Sequence, residues 1–198
     1  MVIGPDTSRQ ARPQDHDEID ALLAAAFGRR DEADLVRRLR ADGAIVLEVV
    51  KCWHDRETGQ SRIGAYMTIS RMVAPQNWFC LGPVAVLPEW QNSTLNPDDR
   101  TRGSFRFGSR LVREYAELFA QGGDWWAGLL ARQGHLQGDE PPTLVVVGKP
   151  SFYARAGFSL VRAARLTTPY PLHVTLIARP GNDVPERALT YPPAFAGL

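Results

Sequence analysis

The chain has 198 residues, with 23 Lys and Arg against 22 Asp and Glu, for a formal charge of +1. That length suits one domain whose core needs no metal or disulfide support, and 44% hydrophobic with 23% charged residues are ordinary globular proportions. A charge this near neutrality supplies no general attraction to nucleic acid or to anionic lipid.

Cys52 and Cys80 are the two cysteines, and they lie in apolar runs without CxxC spacing. Buried, reduced thiols are therefore expected, not a disulfide framework or a metal site. The apolar stretch Ala21–Phe27 is far too short to span a membrane and lacks signal-peptide flanks. The expectation is a soluble, cytoplasmic protein.

In chain order, Ser8–Pro13 reads as a short strand halted by proline. Asp15 reads as an N-cap with Glu18 as its capping-box partner. Ile19, Leu22, Leu23, Ala26 and Phe27 then follow at helical spacing up to Gly28. A second helix runs from Asp31 through Leu35, Val36 and Leu39 to Asp42-Gly43. Ile45–Trp53 and Ile63–Ser70 form a hairpin across the turn-rich Asp55–Gln60. Phe79–Leu87 is a third strand, and Gly82-Pro83 in its middle requires a bulge or a splay because proline offers no ladder donor.

Asn92–Arg102 is polar and reads as an exposed loop, followed by a long helix over about Ser104–Ala120. A short helix is expected within Trp125–Leu136. Leu144–Val147 reads as a buried strand, Ser151–Arg155 as a short helix, and Phe158–Val161 and Leu172–Ala178 as two further strands. The tail from Arg179 is Pro-rich and irregular. Mixed hairpin and crossover connections imply an α/β or α+β sheet flanked by helices.

A strand, a glycine-containing loop and a helix start at Gly108 form an arrangement that holds phosphate, since backbone N–H groups and the helix dipole point at the anion. Arg100, Arg102, Arg106, Arg110 and Arg113 surround that helix start, although a solvated basic face explains them equally well. Gly103 and Gly108 have P-loop spacing, but Ser109-Arg110 stands where Lys-Ser/Thr is required, and no GxGxxG occurs.

The run from Leu81 to Asn92 (LGPVAVLPEWQN), continued by Gly108-Ser109-Arg110-Leu111-Val112, resembles the acetyl-CoA motif of the GNAT N-acetyltransferase superfamily, in particular a group of predicted bacterial acetyltransferases. Gly148–Phe158 (GKPSFYARAGF), with a tyrosine four residues before Gly-Phe, is similar to that group's second motif. Ala11-Arg12-Pro13, Ala25–Gly28 and Tyr191–Phe195 fit the same group, so the likeness covers most of the chain.

The resemblance implies a GNAT-like mixed, twisted sheet of six or seven strands in one domain over residues 1–198, with an insertion at 93–104 and a Pro-rich tail at 180–198. It implies transfer of an acetyl group from acetyl-CoA, as cosubstrate and without metal, to a small-molecule or protein amine. Nucleic acid and membrane are not implied as partners, and a homodimer is the candidate assembly. The cofactor-binding residues carried over are Val84, Ala85, Val86, Gln91, Arg106, Phe107, Gly108 and Ser109, and the catalytic one is Tyr153. The insertion, and Arg106 in place of the motif's first glycine, favour the alternative of a catalytically silent acyl-CoA-binding sensor, while Tyr153 and the bulged strand favour the enzyme.

Other residues carry weaker signals. Taken alone, Tyr153 beside Phe152 reads as a core aromatic. Glu89 reads first as an exposed strand-end carboxylate and second as a general base. His16, His54, His135 and His173 lie too far apart for metal-ligand spacing. Trp125-Trp126 reads as packing for an extra helix.

Overall fold

The β-branched and apolar runs assemble into a sheet whose spatial order follows chain order. The computed structural model describes residues 7–54, 59–91, 111–117, 128, 130–138 and 140–197. Among them six strands, β1 (Thr7–Gln10), β2 (Ile45–His54), β3 (Ser61–Arg71), β4 (Trp78–Val86), β5 (Thr143–Val147) and β6 (Thr175–Ala178), lie side by side in the order β1 to β6. Every neighbouring pair is antiparallel except β4 and β5, which run parallel.

Helices α1 (His16–Phe27) and α2 (Asp31–Ala41) follow β1, and α3 (Pro88–Gln91) follows β4. Residues 111–117 are helical (α4), as are residues 128 and 130–132, and α5 (Pro150–Tyr153) follows β5. The expected loop 93–104 and the ends of the long helix lie outside the described residues. No described helix is long and apolar enough to cross a membrane.

Strand alternation sorts the core into two faces. Val50, Cys52, Ile63, Tyr66 and Ala85 pack against Ile19, Leu22, Leu23, Ala33 and Val36 of α1 and α2. Their chain neighbours Val49, Ala65 and Met67 pack instead with Leu111, Val112 and Ala116 of α4. Farther along, the tail is irregular but packed, with Leu189 and Tyr191 against Trp78, Cys80 and Ile177. Both cysteines are free and buried.

Buried polar groups are tied into this frame. Glu48 accepts hydrogen bonds from the Tyr66 hydroxyl and from Arg40, both at 2.7 Å, linking α2 to the sheet. Burial, with the Glu48 carboxylate beside it, holds the Tyr66 phenol well above its ordinary pKa. Glu140 accepts from Trp78 Nε1 at 3.2 Å, Arg179 at 3.3 Å and Arg187 at 3.0 Å, anchoring the tail.

Four local expectations are corrected. No Asp15–Glu18 capping box forms at the start of α1. The Asp15 carboxylate accepts from Arg12 N–H at 2.7 Å and from Arg9 at 2.6 and 2.9 Å. Glu18 accepts from Ile63 N–H at 2.7 Å, beside the register shift between Lys51 and Cys52 in the β2–β3 ladder. Phe27 is exposed on the last turn of α1, beyond the reach of the sheet. The strand expected at Phe158–Val161 reduces to a single bridge between Ser159 and Ile177, because the chain turns into a 3-10 helix at Val161–Ala163. Leu172–Val174 is likewise a 3-10 turn, so the last strand begins only at Thr175, and it is buried throughout.

Candidate functional site: the fork between β4 and β5

Gly82 and Pro83 interrupt the β3–β4 ladder as their chemistry requires. Ile69 pairs with Leu81 and Met67 with Val84, so two residues of β4 oppose Thr68 alone. Gly82 takes φ +150°, a conformation natural to glycine. On the other side, the parallel ladder with β5 runs from Trp78/Thr143 to Cys80/Val145 and ends there. Beyond Cys80 the two strands part, and β4 continues to Val86 paired with β3 alone.

The last residues of β4 thus have backbone groups turned into the fork. Leu87 N–H donates to Gly64 O at 3.0 Å, which fixes that position toward β3. Strand alternation then turns the N–H and C=O groups of Val84 and Val86 away from β3, toward the fork. The side chains of Val84 and Val86 pack on the α4 side. Ala85 points its backbone at β3 and its methyl at α1.

Gln91, in α3, closes the end of this strand. Its side-chain amide donates to Val86 O at 2.9 Å and to Ala26 O at 3.4 Å, near the C-terminus of α1. The Gln91 side chain is thereby engaged within the protein, leaving Val84 C=O and the N–H groups of Val84 and Val86 directed into the fork. Glu89, in the same short helix, is exposed and lies 3.9 Å from Arg62. The remaining motif residues, Arg106, Phe107, Gly108 and Ser109, lie outside the described residues.

Tyr153 reaches the same face from β5. Pro150 opens α5 at its first turn, where a missing N–H costs nothing. The Tyr153 ring sits edge-on to Phe152 at 4.9 Å and to Phe158 at 5.8 Å, and joins the cluster that holds Val84 and Val86. Its hydroxyl has no hydrogen-bond partner among the described residues. Burial, with a smaller effect from Cys80, pushes the phenol up to about 12, so it is protonated at neutral pH.

Gly148, at the end of β5, opens the second motif, and its part in the site becomes visible only in the structure. A Cβ there would stand 2.5 Å from Cε2 of Tyr153. Its N–H donates to Val174 O at 2.8 Å, holding it in the sheet. The only sequence signal was its place five residues before the tyrosine.

A GNAT family N-acetyltransferase from Escherichia coli, solved in complex with CoA, superposes with a TM-score of 0.64 at 24% identity, covering 96% of this chain and 91% of its own. A GNAT family acetyltransferase from Brucella melitensis, solved in complex with acetyl-CoA, gives 0.62 at 25% identity, covering 96% and 98%. This chain has the GNAT fold. No protein-family model and no curated protein matches the sequence. The six-stranded mixed sheet with α1 and α2 after its first strand is thus the expected GNAT architecture, and the parting of β4 from β5 is its principal opening in the sheet.

Proposed function

We propose that the chain is a single-domain, acetyl-CoA-dependent N-acetyltransferase acting on a primary amine. The observation that carries this reading is the fork itself, where among the described residues Val84 N–H and C=O and Val86 N–H have no partner on one side and the protonated Tyr153 phenol has none on the other. The solved proteins of this fold in complex with CoA and acetyl-CoA supply the chemistry that such a fork suits.

Acetyl-CoA supplies a thioester whose carbonyl is open to attack by a neutral amine. In this reading the C–N bond forms as the C–S bond breaks, the amine loses its proton to solvent, and the sulfur leaves as a thiolate. The backbone groups of Val84 and Val86 are placed to pair with the amide-bearing arm of the cosubstrate, as an added strand pairs with a sheet edge. An N–H from this pair polarises the carbonyl oxygen. Arg106, Phe107, Gly108 and Ser109 retain the pyrophosphate role that the motif implies, while Gln91, whose amide donates to Val86 O and Ala26 O, supports the end of β4.

Magnitudes refine the part played by Tyr153. A free thiol has a pKa of about 8.5, so a phenol at about 12 is much the weaker acid. Complete proton transfer to the thiolate runs uphill. Tyr153 therefore acts chiefly by donating a hydrogen bond to the sulfur as negative charge develops, and solvent delivers the final proton.

The test is thiol release from acetyl-CoA against a panel of amines, with calorimetry of acetyl-CoA alone. Saturable binding plus amine-dependent thiol release supports the enzyme. Binding without turnover on any amine moves the reading to an acyl-CoA sensor, and no binding at millimolar acetyl-CoA overturns both.

A further inference from the structure

A second concavity lies at the other end of the sheet, where β3 finishes and β4 begins. Its volume is about 650 Å³, and its walls include Asp42, Arg71, Gln76, His135, Gln137 and Pro192. These residues come from segments far apart in sequence, and each segment is fastened in place. Arg71 N–H donates to Ala44 O at 2.9 Å, fixing the end of β3 against the turn after α2. The buried Asn77 side chain donates to Gln137 O at 2.9 Å and to Glu140 O at 2.6 Å, and accepts from Gln137 N–H at 2.8 Å. The tail is held by Val73 N–H on Thr190 O at 2.9 Å, and by Arg38 on Ala194 O at 3.1 and 3.2 Å.

The Arg71 guanidinium, exposed at this cleft, has only neutral partners among the described residues. Arg71 donates through Nη1 to His135 Nδ1 at 3.3 Å and through Nη2 to Gly43 O at 3.5 Å. Among the described residues no carboxylate lies within ion-pair distance of it. A guanidinium carries five N–H donors, so most of its fork is still available. Because arginine stays protonated, His135 accepts at Nδ1 and carries its proton on Nε2, a second donor. Among the described residues, the charged and titratable groups lining the cleft are Arg71, His135 and Asp42, of which Asp42 is acidic.

We infer that this cleft binds a small oxyanion, a carboxylate or a phosphate, on the Arg71 fork and the His135 imidazole. Arg pairs with such groups through parallel hydrogen bonds, and preorganised walls reduce the ordering cost of binding. The site is separate from the β4–β5 fork and stands whether or not the acetyltransferase reading holds.

The experiment titrates the full chain with inorganic phosphate and with malonate, each against potassium chloride at equal ionic strength, while NMR follows the His135 ring. At present burial and the neighbouring Arg71 cation hold the His135 pKa below its ordinary value. A bound anion reverses that balance, so the expected result is a saturable displacement of the His135 signals and a pKa rise of about one pH unit or more. Arg71→Gln should weaken the anion about 10-fold or more, Arg71→Lys by less, and neither should change acetyl-CoA titration. A response to one anion alone identifies its chemistry. If neither anion moves His135 beyond the chloride control, or the Arg71 variants bind as well as the parent, the inference is overturned.

Discussion

The Cε2 edge of the Tyr153 ring stands against Gly148, the position at the end of β5 that has no side chain. A Cβ added to Gly148 would fall 2.5 Å from Cε2, 3.3 Å from Cδ2 and 3.5 Å from Cζ of that ring. Phe152 and Phe158 stand edge-on to the same ring, at 4.9 and 5.8 Å, and limit where it can go. The glycine therefore sets where the phenol hydroxyl stands relative to the fork.

Gly148→Ala should displace the ring and cost about 1–3 kcal/mol of stability, the range for overpacking a filled site. Once an acceptor is known, kcat should fall as well. Combined with Tyr153→Phe, the two losses in kcat should not add, because both remove the same hydroxyl from the same place. Additive losses would separate Gly148 from the phenol.

Tyr153→Phe keeps the ring and removes the hydrogen bond to the leaving sulfur. Such a bond to a charged group is worth about 1.5–3 kcal/mol, so kcat should fall about 10- to 100-fold. Acetyl-CoA affinity and thermal stability should stay close to those of the parent. Steady-state kinetics under rate-limiting chemistry, with calorimetry, checks the split, and an unchanged kcat returns Tyr153 to a packing role.

Gln91→Ala frees Val86 O and Ala26 O from the amide that joins them. Exposed neutral hydrogen bonds contribute about 0.5–1.5 kcal/mol each. Acetyl-CoA affinity by calorimetry should weaken a few-fold as the end of β4 loses its tether to α1, with stability little changed. Equal affinity in the variant would show that the strand holds its position without the tether.

Asp15 makes the stability depend on acid. The Arg9 hydrogen bond, reinforced by Arg12 N–H against the opposing effect of burial, holds its carboxyl below the ordinary value of 3.8. A lowered native pKa means stability that is complete above that ordinary value and lost as the pH falls through the native one. Asp15→Asn should therefore lower the melting temperature at neutral pH, and the gap between variant and parent should close below about pH 4. A gap that stays constant down to acid unfolding would remove Asp15 from the account.

Helical periodicity made α1 and α2 legible, because Ile19, Leu22 and Leu23 in the first and Val36 and Leu39 in the second each declare a buried stripe at short range. Gly82-Pro83 announced the bulge for an equally local reason, the missing proline N–H. Glu18 was misread because its partner, Ile63 N–H, is brought to it only by tertiary folding. Phe158–Val161 has strand-like composition, yet only Ser159 meets β6 before the chain turns, and composition does not encode that turn. Tyr153 was singled out by family resemblance, since its own neighbourhood suggests a core aromatic. The Arg71 cleft had no sequence signature at all, being assembled from residues spread from Asp42 to Pro193.

The single parallel junction in the sheet also bears on how the chain finds its structure. β2, β3 and β4 pair with one another across short connections, so this pairing needs little loop closure. β5 pairs with β4 only after the whole stretch from Leu87 to Pro142 has been spanned. Closure entropy grows with the logarithm of loop length, so lengthening that crossover costs about 0.6 kcal/mol per doubling. The β2–β4 meander thus carries the lower closure cost, and the fork is bounded by the neighbouring-strand pairing that spans the longest stretch of chain.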